Sequence, residues 1–375
     1  MRPVSVTLVV SSPWTRDLRA DDGDLRSARA LAERLGGPYS VIVPSGAAEP
    51  GFTELGAVHL YRVPDLSRPA FLRAARHTID HGLPRFCDVL LSSDPLAAVA
   101  VELSRTRTRT PHIVQIQGDV LDPGPAYGGV VKRAGLALVS RAAVRRATAV
   151  RAVRQGIKRR AEQWTRRPVA YIPSRVDTRF FAPSAAPGLR PIHAVMVGNL
   201  LPVKNHASVI RAWPHVVDRV PGARLVVLGE GSERPRLQSL INDLGVGDHV
   251  ELRGSVPRDE VVRTFGQARL AVHPSWSEGQ PRAVLEAMSC GLPMLCSDIP
   301  AHREIIRPET GALLTPGDVR GWAESIVSLL ADPERAWSTG AAGRRYVAEH
   351  HDFDVMIDMF AGFIRDIAMS AGTDR

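Results

Sequence analysis

Short β-branched apolar runs alternate with amphipathic stretches along almost the whole chain. In the first half, runs at 5–10, 40–43, 58–63, 87–92, 112–117, 147–153 and 169–172 read as strands. Between them, stretches such as 25–35 and 70–81 space their apolar residues three and four apart, as a helix with one buried face does. The segment Ala182-Pro183-Ser184-Ala185-Ala186-Pro187-Gly188 then breaks the rhythm and reads as an interdomain linker. The rhythm restarts after it, with strands expected at 193–197, 224–228, 250–252, 270–273, 294–296 and 312–314. Helices are expected at 205–217, 232–244, 259–267 and 281–289, and from Val319 onward the pattern is wholly helical. Strand, crossover helix, strand is the grammar of a parallel sheet covered on both faces. The expected fold is α/β, with Rossmann-like doubly wound domains at 1–185 and 190–352 and a helix at 355–375 packing back on the first.

Composition changes this picture little. A chain of 375 residues exceeds one ordinary core, and a hydrophobic fraction of 44% is ample for two. No stretch reaches the ~20 apolar residues of a membrane-spanning helix. The start, Met1-Arg2-Pro3-Val4-Ser5-Val6, is basic and then apolar, yet it alternates like a strand and lacks a small-residue cleavage site. It reads as mature and cytoplasmic. Cys87, Cys290 and Cys296 are odd in number and lack metal-site spacing, so core packing in a reducing compartment is expected.

Charge raises one question. Much of the net +9 sits in Lys132, Arg133, Arg141, Arg145, Arg146, Arg151, Arg154, Lys158, Arg159, Arg160, Arg166 and Arg167, opposed only by Glu162. No nucleic-acid-binding signature accompanies these residues. A solvated face, an anionic lipid surface and an acidic acceptor all remain open.

The strongest chemical pattern is Pro274-Ser275-Trp276-Ser277-Glu278-Gly279-Gln280-Pro281-Arg282-Ala283-Val284-Leu285-Glu286-Ala287-Met288. A strand ends at His273, a polar loop follows, and a helix is expected from Pro281, proline suiting the first helical position. This sets a helix N-terminus at the carboxyl end of a parallel strand, where open α/β sheets bind ligands and unpaired N–H groups favour phosphate. Glu278 precedes the turn and Glu286 lies in the helix beside Arg282. Carboxylates accept from vicinal hydroxyls, so the pair suits the two sugars of a nucleotide-sugar. Taken singly, a helix ion pair of Glu286 with Arg282 and a solvated Glu278 explain the same residues.

The surrounding segments add a series. Val197-Gly198-Asn199-Leu200-Leu201-Pro202-Val203-Lys204-Asn205 follows the first strand of the second half. Leu228-Gly229-Glu230-Gly231-Ser232 follows the next, and Leu252-Arg253-Gly254-Ser255-Val256-Pro257 the third. Gly291-Leu292-Pro293 and Glu304 before Gly311 close it. Over 191–350 this order resembles the retaining glycosyltransferases of family 4, the group 1 glycosyl transferases with the GT-B fold. The resemblance implies two Rossmann-like domains facing a central cleft, the first taking an acceptor and the second a nucleotide diphosphate sugar. It implies that Glu278 holds hydroxyls of the donor sugar and Glu286 the ribose. Backbone amides around Gly279, Gln280 and Arg282 would meet sugar and diphosphate, and Lys204 the diphosphate. Gly198 and Asn199 belong to the same donor loop, Asn199 standing where the family usually has arginine, so that one diphosphate charge contact is either missing or supplied elsewhere, with Arg282 the candidate. Arg253 matches a position whose backbone meets the base.

The first half carries fewer matches. Asp22-Gly23-Asp24 resembles the Gly-Gly loop near the acceptor, with Asp24 replacing the second glycine; a plain helix cap explains Asp24 equally well. Gln117, in Gln115-Ile116-Gln117-Gly118-Asp119, stands where relatives carry histidine, so it suits positioning an acceptor hydroxyl beside Asp119 rather than moving a proton. Arg175 replaces a usual glycine at the close of the first domain.

The implied reaction transfers a hexose with retention, the leaving phosphate itself taking the acceptor's proton, with no metal or other cofactor. Asp22-Gly23-Asp24 and Asp352-Phe353-Asp354 mimic a metal-binding motif, but neither stands where one is needed. UDP is the preferred donor base on family frequency, the acceptor is an unidentified hydroxyl, and contact with the inner face of the membrane is left open. A sugar-nucleotide epimerase and a catalytically inactive nucleotide-binding relative are the alternatives. A dehydrogenase lacks its Gly-x-Gly-x-x-Gly.

Overall fold

The computed structural model describes residues 2–11, 23–46, 48–65, 67–83, 87–183 and 190–373, with backbone alone at 23, 24, 372 and 373. Most of the expected linker, 184–189, lies outside the described residues. The chain divides into two compact units, Met1–Pro173 with Asp354–Arg375, and Ser174–Phe353.

Among the described residues the first unit is built on eight strands, β1 (Val6–Val9), β2 (Tyr39–Pro44), β3 (Gly51–Leu55), β4 (Val58–Val63), β5 (Val89–Ser92), β6 (His112–Ile116), β7 (Ala149–Ala152) and β8 (Val169–Tyr171). Their order is β3-β4-β2-β1-β5-β6-β7-β8. Neighbours run parallel except β3, which pairs antiparallel with β4. The helices between these strands, among the described residues, are α1 (Gly23–Leu35), α2 (Arg68–His77), α3 (Pro95–Glu102), α4 (Val130–Arg146) and α5 (Gln155–Glu162). The central strands are buried on both faces, which is why β5, Val-Leu-Leu-Ser, shows no polar alternation. Asp94 starts α3 by accepting from the Ala97 N–H at 2.9 Å, with Pro95 at the first helical position.

Two features of this unit depart from the sequence reading. β3 was not anticipated, because an exposed edge strand of Gly-Phe-Thr-Glu-Leu carries no buried alternation. The helix expected over 70–81 ends at His77 and continues as a wider π turn, Thr78–Gly82. The C-terminal helix, Phe353–Thr373, belongs to this unit from Asp354 onward. It buries Ile357, Phe360 and Ile364, and its Asp354 and Asp358 pair with Arg34 of α1 at 3.1 and 2.7 Å.

The second unit has, among the described residues, six parallel strands, β9 (Ile192–Val197), β10 (Leu225–Leu228), β11 (Val250–Gly254), β12 (Ala268–His273), β13 (Met294–Ser297) and β14 (Gly311–Leu314). The helices are α6 (His206–Arg219), α7 (Arg234–Asp243), α8 (Arg258–Gln267), α9 (Arg282–Ser289), α10 (Pro300–Arg303), α11 (Val319–Ala331) and α12 (Pro333–His350). Successive strand residues divide between two cores. Ala194, Met196, Leu225 and Val227 pack on one side with Trp213 and Trp322, while Val195, Val226 and Leu228 pack on the other with Val284, Leu285 and Met288. The order β11-β10-β9-β12-β13-β14 places the reversal of winding between β9 and β12. Chains leaving these adjacent strands depart in opposite directions, which opens a crevice at their carboxyl ends.

Candidate functional site

At that reversal the loop after β9 is stitched to the loop after β12. The Trp276 N–H donates to the Val203 carbonyl at 2.8 Å, and Asn205 Nδ2 to the Pro274 carbonyl at 3.0 Å. Asn205 adopts a left-handed conformation (φ 53°, ψ 34°), which asparagine tolerates better than most side chains, and its Oδ1 accepts from Ser208 Oγ at 2.9 Å. The segment after β10 supports the first loop from behind. A Cβ at Gly229 would lie 2.1 Å from the Gly198 carbonyl oxygen, and one at Gly231 2.3 Å from that of Leu200, so both positions require glycine.

Lys204 and Glu278 meet across these loops, Nζ to Oε1 at 2.6 Å. Ser275 Oγ donates to the same oxygen at 2.7 Å and His273 Nε2 at 2.9 Å. Three donors thus converge on Oε1, and no described residue bonds Oε2. Burial alone would raise the Glu278 carboxyl; hydrogen bond and charge from His273 and Lys204 outweigh it and hold the group well below the usual carboxylate range. The solvated Glu278 considered from sequence is therefore replaced by a largely buried, ionised one. Behind it, Ser297 Oγ donates to the Ser275 carbonyl, and His302 Nδ1 lies 2.7 Å from the Ser297 carbonyl. His206 and His302 are buried, and His206 Nδ1 and His302 Nε2 have no hydrogen-bond partner among the described residues. His273, Ser275, His206 and His302 escaped the sequence reading as site residues, although His273 immediately precedes the motif and Ser275 lies within it; only proximity in space reveals them.

This cluster sets a pH dependence. Burial pushes His206 and His302 down to about 3, and His351, 2.9 Å from the Ser174 carbonyl, down to about 4. The unfolded chain takes up these protons near pH 6.5, so folding stability is present above that value and falls as pH drops toward 3–4. The Glu278 contribution has the same sign and is lost lower still. Melting measured between pH 7.5 and 4.5 should show stability declining by roughly 1 kcal/mol per pH unit for each histidine below about pH 6. A His302→Gln variant should have a shallower slope; an unchanged slope would contradict the assignment.

Glu286 presents the opposite case. It lies on α9, half-buried, and its carboxylate carries no hydrogen bond or ion pair among the described residues. Burial raises its carboxyl, with Arg282 and Arg258 opposing only in part. The helix ion pair with Arg282 considered from sequence is not formed. Pro281 occupies the cap position rather than the first helical one, and no side chain caps the helix. Gly279 and Gln280 lie in the turn before α9, where Gln280 Oε1 accepts from the Ser174 N–H. Arg282 and Asn199 are exposed, and Gly198 closes β9. On β11, the Arg253 side chain is taken by Glu251 through two bonds of 2.9 Å, leaving its backbone as the part relevant to a ligand.

In the first unit, Gln117 is exposed just beyond β6. Asp119 pairs with buried Arg154, and its N–H donates to Tyr127 Oη at 3.0 Å. Gly23 and Asp24 open α1; their side chains, like Asp22, lie outside the described residues. The basic segment is not uniformly a solvated face. Arg151 is buried, bonding the Gln115 side chain and the Ile172 and Pro173 carbonyls beneath the Phe360 ring, so Arg151 and Arg154 serve packing. Arg175 lies over the Phe353 ring at 5.9 Å. Asp352 accepts from Thr178 Oγ1 and Asp354 pairs with Arg34. Among the described residues no cluster of acids, histidines or cysteines is arranged to hold a metal, and no helix is long and apolar enough to cross a membrane. Cys290 and Cys296 are core residues, burial pushing the Cys290 thiol up to about 12.

The family description Glycosyl transferases group 1 matches residues 179–346, and Glycosyl transferase 4-like domain matches 25–175. The chain is 31% identical over 213 residues to the GDP-mannose-dependent alpha-(1-6)-phosphatidylinositol monomannoside mannosyltransferase of Mycobacterium tuberculosis, covering 52% of this chain and 55% of the relative. It thus spans about half the length of the curated relatives it matches. Among solved structures it is similar to sucrose-phosphate synthase from Thermosynechococcus elongatus (TM-score 0.80, 18% identity, 98% of this chain and all of the other). It is also similar to Anabaena HepE in complex with UDP and glucose (TM-score 0.74, 17% identity, 96% and 99%). These two likenesses concern the fold.

Proposed function

We infer that this chain, which belongs to the glycosyl transferases group 1 family, moves a hexose from a nucleotide diphosphate sugar to a hydroxyl acceptor with retention of configuration. The observation that carries the reading is the Glu278 carboxylate at the β9–β12 reversal, with one oxygen locked by three donors, the other free for a ligand, and an ammonium beside it. In this reading Oε2 of Glu278 accepts from a donor-sugar hydroxyl, and unpaired Glu286 accepts from the ribose. The positive start of α9 and the amides around Gly279, Gln280 and Arg282 face the diphosphate, with Gly198 and Asn199 on the opposite loop and the Arg253 backbone toward the base. Negative charge grows on the leaving phosphate as the anomeric bond breaks, and Lys204 is the cation placed to meet it. That phosphate then takes the acceptor's proton, so the reaction calls for neither a protein base nor a cofactor. Gln117 and Asp119, with Gly23 and Asp24, remain the proposed acceptor side.

UDP stays the preferred base, and GDP is the competitor because a similar mannosyltransferase is named for GDP-mannose. We place the enzyme in the cytoplasm, in peripheral contact with the inner face of the membrane.

Thermal shift against UDP, GDP and their sugars tests the donor half. The matching nucleotide at about a hundredfold above its Kd should raise the melting temperature by roughly 5 °C. Product analysis tests the rest. A glycosylated acceptor supports transfer, a new sugar nucleotide formed without acceptor would identify an epimerase, and binding without turnover an inactive relative.

A further inference from the structure

Helix α4 is apolar on two opposite faces. Ala137, Ser140, Ala143 and Val144 point into the first unit and are buried. On the far side Val131, Gly135, Leu138 and Ala142 follow one another at intervals of four, three and four residues, the stripe of a helix face that expects to be covered. Nothing among the described residues covers it: Val131 is 88% exposed, Leu138 70% and Val130 72%. Four of the molecule's exposed large hydrophobic side chains, Val130, Val131, Leu138 and Val139, lie on this one helix.

The charges around the stripe say what kind of surface would cover it. The 17 residues of α4 include Lys132, Arg133, Arg141, Arg145 and Arg146 and no acid. At 100° per residue, Lys132 and Arg146 fall along one border of the stripe and Arg141 and Arg145 along the other. The latter two guanidiniums stack on the Trp164 ring at 4.4 and 4.8 Å, which holds them at that border. Arg141 Nε also donates to the Leu121 carbonyl at 3.0 Å, and on α5 Arg160 pairs with Asp122 and Lys158 lies near Glu162.

We propose that this outward face of α4 is a membrane-docking surface for anionic lipid, the stripe entering the acyl boundary while the bordering cations meet the headgroups. The proposal rests on, and specifies, the peripheral contact inferred above. It also disfavours a second copy of the chain as the occupant, because a twofold contact through this face would set one cationic rim against another.

Sedimentation with vesicles tests it, with neither donor nor acceptor present. The wild-type chain should pellet with vesicles of phosphatidylcholine containing about a third phosphatidylglycerol, and stay in solution with phosphatidylcholine alone. Val131→Glu with Leu138→Glu, both at exposed sites that tolerate a helix-forming residue, should lower the bound fraction about tenfold while circular dichroism and melting stay unchanged. Lys132→Gln with Arg145→Gln and Arg146→Gln should weaken binding comparably and reduce its salt sensitivity. Failure of the wild type to pellet with anionic vesicles would overturn the proposal, as would undiminished binding by both variants. A concentration-dependent dimer in light scattering that the glutamate variant abolishes would give the face to a second copy instead. Any of these results leaves the transferase reading standing, whereas absent nucleotide shifts with intact vesicle binding would do the reverse.

Discussion

Replacing Lys204 by alanine is expected to lower turnover by about 10²–10³, or ~3–4 kcal/mol of transition-state stabilisation. The ground for so large an effect is charge development. A diphosphate already bears negative charge in the donor, and the phosphate nearest the sugar gains more as the anomeric bond breaks. A cation held at that point is therefore worth more in the transition state than in the bound donor, so kcat should fall more than KM rises. Lys204 is held there by a 2.6 Å contact to Glu278 and by the short turn Pro202–Lys204, which the left-handed Asn205 terminates. Lys204→Arg keeps the charge but not its compact shape, and should recover only part of the rate. Steady-state kinetics on purified, folded variants provides the check, and near-normal turnover in the alanine variant would refute the assignment.

Glu278→Ala should cost a similar ~10²–10³ in turnover, for a different reason. The carboxylate does two things in the proposed reading: Oε2 holds a sugar hydroxyl, and Oε1 gathers Lys204, Ser275 and His273. Removing it releases the lysine from its position and leaves largely buried donors unpaired, each at about 1–3 kcal/mol. A fall in melting temperature should accompany the loss of rate. Glu278→Gln separates the two roles, since an amide of the same shape still accepts from Ser275 but no longer balances the lysine. Its stability should lie between wild type and alanine while its turnover stays low. If Glu278→Gln turned over donor like the wild type, the carboxylate would have no part in catalysis.

Much of the architecture was legible because burial leaves a local trace. Each strand expected from an apolar run is present, shifted by no more than a residue or two at its ends. Strands covered on both faces must be continuously apolar, and β10, Leu-Val-Val-Leu, shows how plainly that reads. Helices with mixed faces were harder. Neither α4 nor α5 was given bounds from sequence, because their arginines obscured the apolar positions and drew the reading toward charge. Arg151 illustrates the difficulty: nothing in its neighbours in sequence reveals that its guanidinium lies buried under an aromatic ring from the C-terminal helix. The motif at 274–288 was legible as a ligand-binding turn, but the state of its acids was not. Glu278 and Glu286 look alike in sequence, yet one is gripped by three donors and the other has none.

The sequence alone determined that the chain alternates strands and helices, that the rhythm breaks once, and that a polar turn with two flanking acids follows a buried strand. Periodicity and turn chemistry encode these features within a few residues of one another, so they survive without coordinates. Only the tertiary structure decided the strand order that sets β9 beside β12. It alone brought Lys204 within 2.6 Å of a carboxylate 74 residues away and left one face of α4 uncovered by the described residues. Contacts between distant segments depend on which surfaces meet when whole layers pack, and no local pattern records that choice.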